Sequence, residues 1–553
     1  MRPRPGVYAL PIVLMTAAGA ALGDEPPIPG LEIRTADGWG NNLGDPSMGS
    51  TGSLQLRLTD PTYADGLGAM RDAPHARVIS NAIGQQTTSG NDANLSAMFW
   101  QWGQFIDHDM VLTHGGGEFA PMFAPGGDPV FPAGAMIPFG RSGYQTDADG
   151  VRQYQNSVTA FLDGSMVYGS DDARANALRA FDGGRLATDG AGFMPRNTAG
   201  IENANDGFLP DQTLFIAGDI RANEQAGLTA MHTVFVREHN AWADRLAADN
   251  PSWNDEQIYQ MARKIVGAEI QKITYDEWLP AMLGGNALGA YTGYDSSVDA
   301  GISLEFSTAA FRFGHTMLNE NLMRLGEDGS AFSAGPLTLH QNFFNPDSIT
   351  PEGSLDALIR GMAAQEAEAL DTRLSSGVRN MLFGDPGAGG MDLLAVNLMR
   401  GRDHGIGTYN DIREAFGLQR VSDWSDLTTE TDLAEALAGV YPSIDELDAW
   451  VGLLAEDKAG DAIVGETLAM VLADQFARLR DGDRFFFLND DALSPYMQEI
   501  DTITLGDILA RNTGVSGFDG SVFYAVPAPG AMGVLALGGL LATRRRRTCS
   551  ATA

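Results

Sequence analysis

Residues Leu95 to Thr113 read LSAMFWQWGQFIDHDMVLT. Leu95, Met98, Phe99, Trp102 and Phe105 or Ile106 recur at helical spacing, which predicts an amphipathic helix packed on a core. Into that apolar setting fall Gln104, Asp107, His108 and Asp109. Gln104 and His108 are four apart, so on a helix they share a face and can reach one ligand together. Asp107 lies close to the same face, while Asp109 points elsewhere. By itself, a histidine between two aspartates is more often a capped helix end or a satisfied core histidine. The reading turns on what other segments supply.

The chain has 553 residues, 44% of them hydrophobic and 19% charged, which is ordinary for a protein with a large core. Its formal net charge of −35 opposes binding to nucleic acid or any other polyanion. At the N-terminus, Arg2 and Arg4 precede an apolar run from Val7 to Ala21 and small residues before Asp24. That pattern reads as a signal peptide over residues 1–23. Near the C-terminus, Val526-Pro527-Ala528-Pro529 leads into an apolar run and then Arg544 to Arg547. Residues 526–547 resemble a PEP-CTERM sorting tail of Gram-negative bacteria, held transiently in a membrane and cut by an exosortase-type protease. Ala528 departs from the glutamate usual between those prolines. The expectation is a secreted or cell-surface protein of such a bacterium. The only cysteine, Cys549, lies beyond the arginines, so the mature chain carries no disulfide.

Between the ends, residues 24–92 read as a loop-rich arm and Gly115 to Gly150 as a Gly/Pro-rich surface excursion. Helical patterns follow at Leu228 to Asp249, Asp255 to Glu277, Leu355 to Ala369, Leu433 to Leu437 and Ala462 to Leu479. No run of alternating strands and no internal repeat stands out. The expected fold is mainly α: one large helical domain over residues 93–520, with irregular loops and few short strands.

Four further segments bear chemistry. In Ser157 to Ser165, oxygen-bearing side chains at Thr159, Asp163 and Ser165 alternate with a backbone carbonyl at Phe161, a spacing that can wrap a cation. Asp109 could complete such a shell, and Ca²⁺ takes six to eight oxygens. Asp219-Ile220-Arg221-Ala222-Asn223-Glu224 places Arg221 and Glu224 three apart. Phe311-Arg312-Phe313-Gly314-His315-Thr316 sets a histidine among aromatic residues, suited either to a metal ligand or to a core histidine. Asn397 to Gly405, NLMRGRDHG, is a polar cluster after an apolar run.

Taken in order, these pieces resemble the animal-type haem peroxidases of the peroxidase–cyclooxygenase superfamily. Ala76 to Asn81, Arg237 to Asn240, Arg480 to Phe485 and Arg511 to Gly514 extend the resemblance over nearly all of the mature chain. It implies haem b and Ca²⁺ as cofactors. His108 matches the family's acid–base residue on the side of the iron where peroxide binds, Arg221 the cation that stabilises charge during O–O cleavage, and Gln104 the amide that holds water or a halide. His315 matches the iron ligand and Asn397 its hydrogen-bond partner. Arg312 and Arg400 match the contacts to the haem propionates. Asp107 and Glu224 match the two carboxylates that form ester bonds to the haem, while Gln225 stands where a methionine makes a sulfonium link in one member. Asp109, Thr159, Phe161, Asp163 and Ser165 match the calcium loop. His232, His239 and His404 fall inside family motifs and read as structural.

The implied activity is reduction of H₂O₂ with oxidation of a halide, a pseudohalide or a small organic donor. Two rivals remain. One is a fatty-acid dioxygenase of the same superfamily, whose radical-forming tyrosine would stand where Arg312 is. The other is an extracellular matrix protein without catalysis. Nothing in the sequence speaks to oligomeric state.

Overall fold

The computed structural model describes residues 31–525 apart from 87–89, 286 and 519. The expected signal peptide and sorting tail lie outside them. The main helices are α1 (Ala76–Ile83), α2 (Ala97–Met110), α3 (Ala226–Asp249), α4 (Asp255–Ile273), α5 (Ser354–Ala364), α6 (Leu393–His404), α7 (Glu466–Asp481) and α8 (Leu505–Asn512). Among the described residues the sheets are two-stranded antiparallel pairs. The mainly helical expectation holds.

α2 runs through the middle of the core. Ser96 caps it, its hydroxyl accepting from the Met98 amide at 3.2 Å. The chain's described C-terminal end anchors the same point, since Ser96 N–H donates to the Phe523 carbonyl at 2.8 Å. Phe99 stacks on Trp278 at 5.2 Å, and Phe105 meets Phe235 at 5.0 Å. Truncating the fully buried Phe105 to alanine would cost about 3–5 kcal/mol. The expectation of an amphipathic helix is corrected here. Only Gly103, Gln104 and Asp107 of α2 keep appreciable exposure, so its polar stripe opens on an internal cavity instead of bulk solvent.

Other boundaries differ for physical reasons. The helix expected to run to Glu277 keeps regular pitch to Ile273 and then widens into a π turn at Thr274–Trp278. Pro280, in the first turn of the short helix Leu279–Leu283, lacks the N–H that would continue the ladder. The helix expected over Leu355 to Ala369 stops at Ala364. The arm is not all loop, because it contains α1. Arg77 on α1 is fully buried, donating to Asp128 at 2.8 Å and to Asp392 at 2.7 Å. Asp392 also caps α6 through the Ala395 amide, so one carboxylate ties the arm to the helix carrying Asn397 and Arg400. The Gly115 to Gly150 excursion is exposed along Gly115–Phe119 but inserts Phe131, Ile137 and Phe139 into the core.

Candidate active site

The stripe of Gln104, Asp107 and His108 lines a cavity of about 420 Å³. Arg221 and Glu224 reach it from the loop before α3, Arg312 and His315 from the 3₁₀ turn Ala310–Thr316, and Arg400 from α6. Asn397, one turn before Arg400, stands behind His315 rather than in the lining. Trp100, Leu318, Phe343, Leu382 and Phe383 make apolar walls.

On one side, Asp219 organises the polar groups. Its carboxylate accepts from the Arg221 backbone amide at 2.7 Å, from Nε at 2.9 Å and from Nη2 at 2.8 Å. It also lies 3.5 Å from His108 Nδ1. A carboxylate there favours the proton on Nδ1 and leaves the Nε2 lone pair free. Arg221 Nη2 donates as well to the Val111 carbonyl, at 2.9 Å, which ties the loop to the end of α2. Burial and the Arg221 charge hold His108 well below its ordinary pKa, so the imidazole is neutral. Burial works against ionisation of Asp219, but the Arg221 charge and the hydrogen bonds from Arg221 hold its carboxyl below the usual range. No spacing rule in the sequence links Asp219 to His108, so its role shows only in the fold.

On the other side, burial followed by the Arg312 charge lowers His315 to about 3. The Asn397 Nδ2 lies 3.0 Å from His315 Nδ1, and its Oδ1 accepts from Arg312 Nη1 at 3.2 Å. Arg312 Nε donates to the Ser307 carbonyl, and Arg400 Nη1 donates to Ser142 Oγ at 2.7 Å and to Asp403 at 3.0 Å. Burial, with Arg400 as the next contribution, lowers Arg312 to about 10. The two guanidinium groups thus form a buried cationic corner short of negative charge.

Asp107 and Glu224 are carboxyls held near neutrality. Burial raises Asp107 to about 6 against the pull of Arg221 and Arg312, and raises Glu224 to about 7 against Arg221. Gln104 Nε2 donates to Glu224 at 3.2 Å, and Arg221 lies 3.9 Å from Asp107. A neutral imidazole with a free lone pair, a cationic corner and two carboxyls at one cavity fit a flat metal-bearing cofactor with two acidic arms. The residues present suit haem.

Behind α2, Asp109 turns into the loop after Asn156. Ser165 Oγ donates to Asp109 at 2.8 Å, and the Gly164 amide donates to it at 3.0 Å. Gly164 sits at φ +77°, where a side chain would be strained, and turns Asp163 and Ser165 inward. Thr159 Oγ1 donates to Asp163 Oδ1 at 3.1 Å, whereas Asp163 Oδ2 is buried with no hydrogen bond. Arg34, 3.8 Å away, is the cation beside it, and the Phe161 ring packs against Arg34. Burial and Asp163 raise Asp109 to about 8. Two buried carboxyls with an orphaned oxygen, a threonine and a serine are a hard-oxygen donor set, which fits Ca²⁺.

The other histidines separate. His239 has both ring nitrogens engaged, by the Tyr168 hydroxyl at 3.0 Å and the Gly184 carbonyl at 2.9 Å, as a structural residue would. His232 is buried with neither nitrogen bonded. His404, expected to be structural, lines the cavity, stacked on Tyr154 at 3.8 Å and bonded to Ser142 Oγ.

Comparison with known proteins gives the same picture at the level of family and fold. A family model described as animal haem peroxidase matches residues 33–523. Peroxinectin A of Dictyostelium discoideum is 36% identical over 509 residues, covering 88% of this chain and 94% of the relative. The human peroxidasin homolog is 34% identical over 541 residues, where the match spans 87% of this chain but 36% of that longer protein. Among solved structures, peroxidase A from Dictyostelium discoideum superimposes with a TM-score of 0.84 at 35% identity, over 89% of this chain and all of that one. Rice fatty acid alpha-dioxygenase with palmitic acid shares the fold at 23% identity, with a TM-score of 0.76 over 90% of this chain and 88% of that one.

Proposed function

The chain belongs to the animal haem peroxidase family, and from that premise we propose that it reduces H₂O₂ at the cavity between His108 and His315, oxidising a halide, a pseudohalide or a small organic donor. The observation that carries this reading is the pair of neutral histidines on one cavity, one of them backed by Asp219 and Arg221. Bound haem b would supply the two-electron redox chemistry. His108 Nε2 takes the proton from the near oxygen of H₂O₂ and returns it to the departing oxygen. Arg221, fixed by Asp219, offers positive charge where negative charge develops, with little reorganisation. His315 would be the residue that holds the iron, with Asn397, 3.0 Å from its Nδ1, as the neighbour that orients the imidazole. Arg312 and Arg400 pair with the propionates. Asp107 and Glu224 line the cavity and would be the carboxylates that replace a methyl C–H of the haem with an ester C–O bond, a two-electron oxidation for which H₂O₂, reduced to water, is the oxidant. Ca²⁺ held by Asp109, Thr159, Phe161, Asp163 and Ser165 would tie the loop before Ser165 to α2.

The fatty-acid dioxygenase reading loses ground. Arg312 holds the position of the radical tyrosine, and no tyrosine lines the cavity among the described residues. Export to the cell surface rests on the terminal segments alone. Absorption spectroscopy of the haem- and calcium-loaded protein tests the peroxidase reading. The expected result is a high-spin ferric Soret band that loses intensity with one equivalent of H₂O₂ and recovers with bromide or a phenol. Haem uptake without any response to peroxide would overturn it. Retention of haem through acid–organic extraction, lost in the double variant Asp107→Asn, Glu224→Gln, tests the esters.

A further inference from the structure

Gln225 caps α3, its Oε1 accepting from the backbone N–H of Gly227 at 2.6 Å. A backbone N–H can only donate, so the orientation of the Gln225 amide is fixed without ambiguity between oxygen and nitrogen. Its NH₂ therefore points the other way, where it donates to Gln101 Oε1 and, at 3.0 Å, to Gln104 Oε1. Both neighbours must present oxygen to it. Gln101 does so although its own Nε2 is left buried without a partner. Gly227 leaves the room this needs, because a Cβ there would stand 2.4 Å from Gln101 Oε1 and 3.0 Å from Gln225 Oε1.

The consequence falls on Gln104. Its carbonyl is occupied by Gln225, and one amide hydrogen is given to Glu224 at 3.2 Å. What remains for the cavity is an N–H donor. We propose that Gln225 is a positioning residue that locks the Gln104 amide with its NH₂ toward the cavity, making it a donor to a small monovalent anion and biasing the choice of donor substrate toward such anions. This rests on the peroxidase reading and deepens it. The inference needs no contact between Gln225 and the anion, for it acts through the polarity of Gln104.

The test uses the haem-loaded protein and two variants. In Gln225→Glu the carboxylate can only accept, so Gln104 must turn its NH₂ toward residue 225 and its carbonyl toward the cavity. In Gln225→Met the lock is removed without adding charge. Thiocyanate and bromide dissociation constants are read from the Soret shift of the ferric protein, and KM and kcat for bromide are compared with those for a phenol. Loss of a hydrogen bond to an ion is worth about tenfold in affinity. The expected result is about a tenfold rise in the anion dissociation constant and bromide KM for Gln225→Glu. Gln225→Met should show a smaller rise in the same direction, and the phenol KM should move less than the bromide KM in both. An anion affinity unaltered in Gln225→Met would overturn the proposal, as would parallel losses for bromide and phenol. If one variant fails to take up haem, the other decides. A parent protein that ignores peroxide would instead sink the peroxidase reading, and the anion titration of the ferric form would still test the orientation.

Discussion

His108 and Asp109 are neighbours on α2, yet their side chains end in two buried polar sites that are charged in opposite senses. On the cavity side, Asp219 pairs with Arg221 and faces His108, while Arg312 has no carboxylate of its own among the described residues and Arg400 shares Asp403 with Arg141. On the loop side, Asp109 and Asp163 face each other, and Arg34 stands off at 3.8 Å. On the function proposed above, an anionic cofactor would complete one site and a cation the other. A single helix thus couples the two, and each can be broken separately.

The largest effect belongs to the cavity side. His108→Ala should slow the reaction with H₂O₂ by about 10²–10⁴-fold, the usual worth of a positioned acid–base group, as read by stopped-flow absorbance. Calcium content and melting temperature should stay close to the parent's. A variant with near-parental rate would show that the proton is carried elsewhere. Asp219→Asn comes next, at roughly 10–100-fold. An amide at that position no longer favours the Nδ1–H tautomer and leaves Arg221 without its bidentate partner. Arg221 and His108 then lose alignment together, so the double variant Asp219→Asn, Arg221→Leu should fall short of the product of the two single effects.

The loop side breaks differently. Removing Ca²⁺ with a chelator should lower the melting temperature by several degrees, since an ion at 100 times its dissociation constant contributes about 2.7 kcal/mol. Asp163→Asn separates the alternatives by sign. If the loop holds a cation, the substitution destabilises the calcium-loaded protein. If the two carboxyls merely crowd one another, replacing one relieves repulsion and the melting temperature rises.

How much of this was legible in sequence follows from the range of the interactions. The Gln104, Asp107 and His108 stripe is set by helical spacing, and the alternation from Thr159 to Ser165 is visible in an extended loop. In sequence Asn397 and Arg400 form a polar cluster after an apolar run, but they lie within α6, which Asp392 caps at its start and Gly405, at φ +61°, ends. Roles that depend on a partner far along the chain were invisible. Asp219 meets His108, Gln225 meets Gln104, and His404 reaches the cavity only because α6 packs beside it. The stripe's exposure was misjudged for the same reason. Periodicity reports which face is polar and cannot say whether that face meets water or an internal cavity.

The smallest expected effect is a flat pH profile, and its flatness carries information. An imidazole with the ordinary pKa of about 6.5 would be half protonated there and about nine-tenths protonated at pH 5.5, so the peroxide rate would fall about tenfold between pH 8 and 5.5. His108 is held well below that value, first by burial and then by Arg221, with Asp219 opposing them. It therefore remains a competent base as pH falls through 6.5, and the rate should change less than twofold between pH 8 and 6. The acid limb should appear only well below 6.5. In Arg221→Leu the repulsion that helps depress His108 is gone while Asp219 remains, so the limb should move to higher pH even as the rate drops. An acid limb that stays in place in that variant would show that burial alone sets the proton affinity of His108.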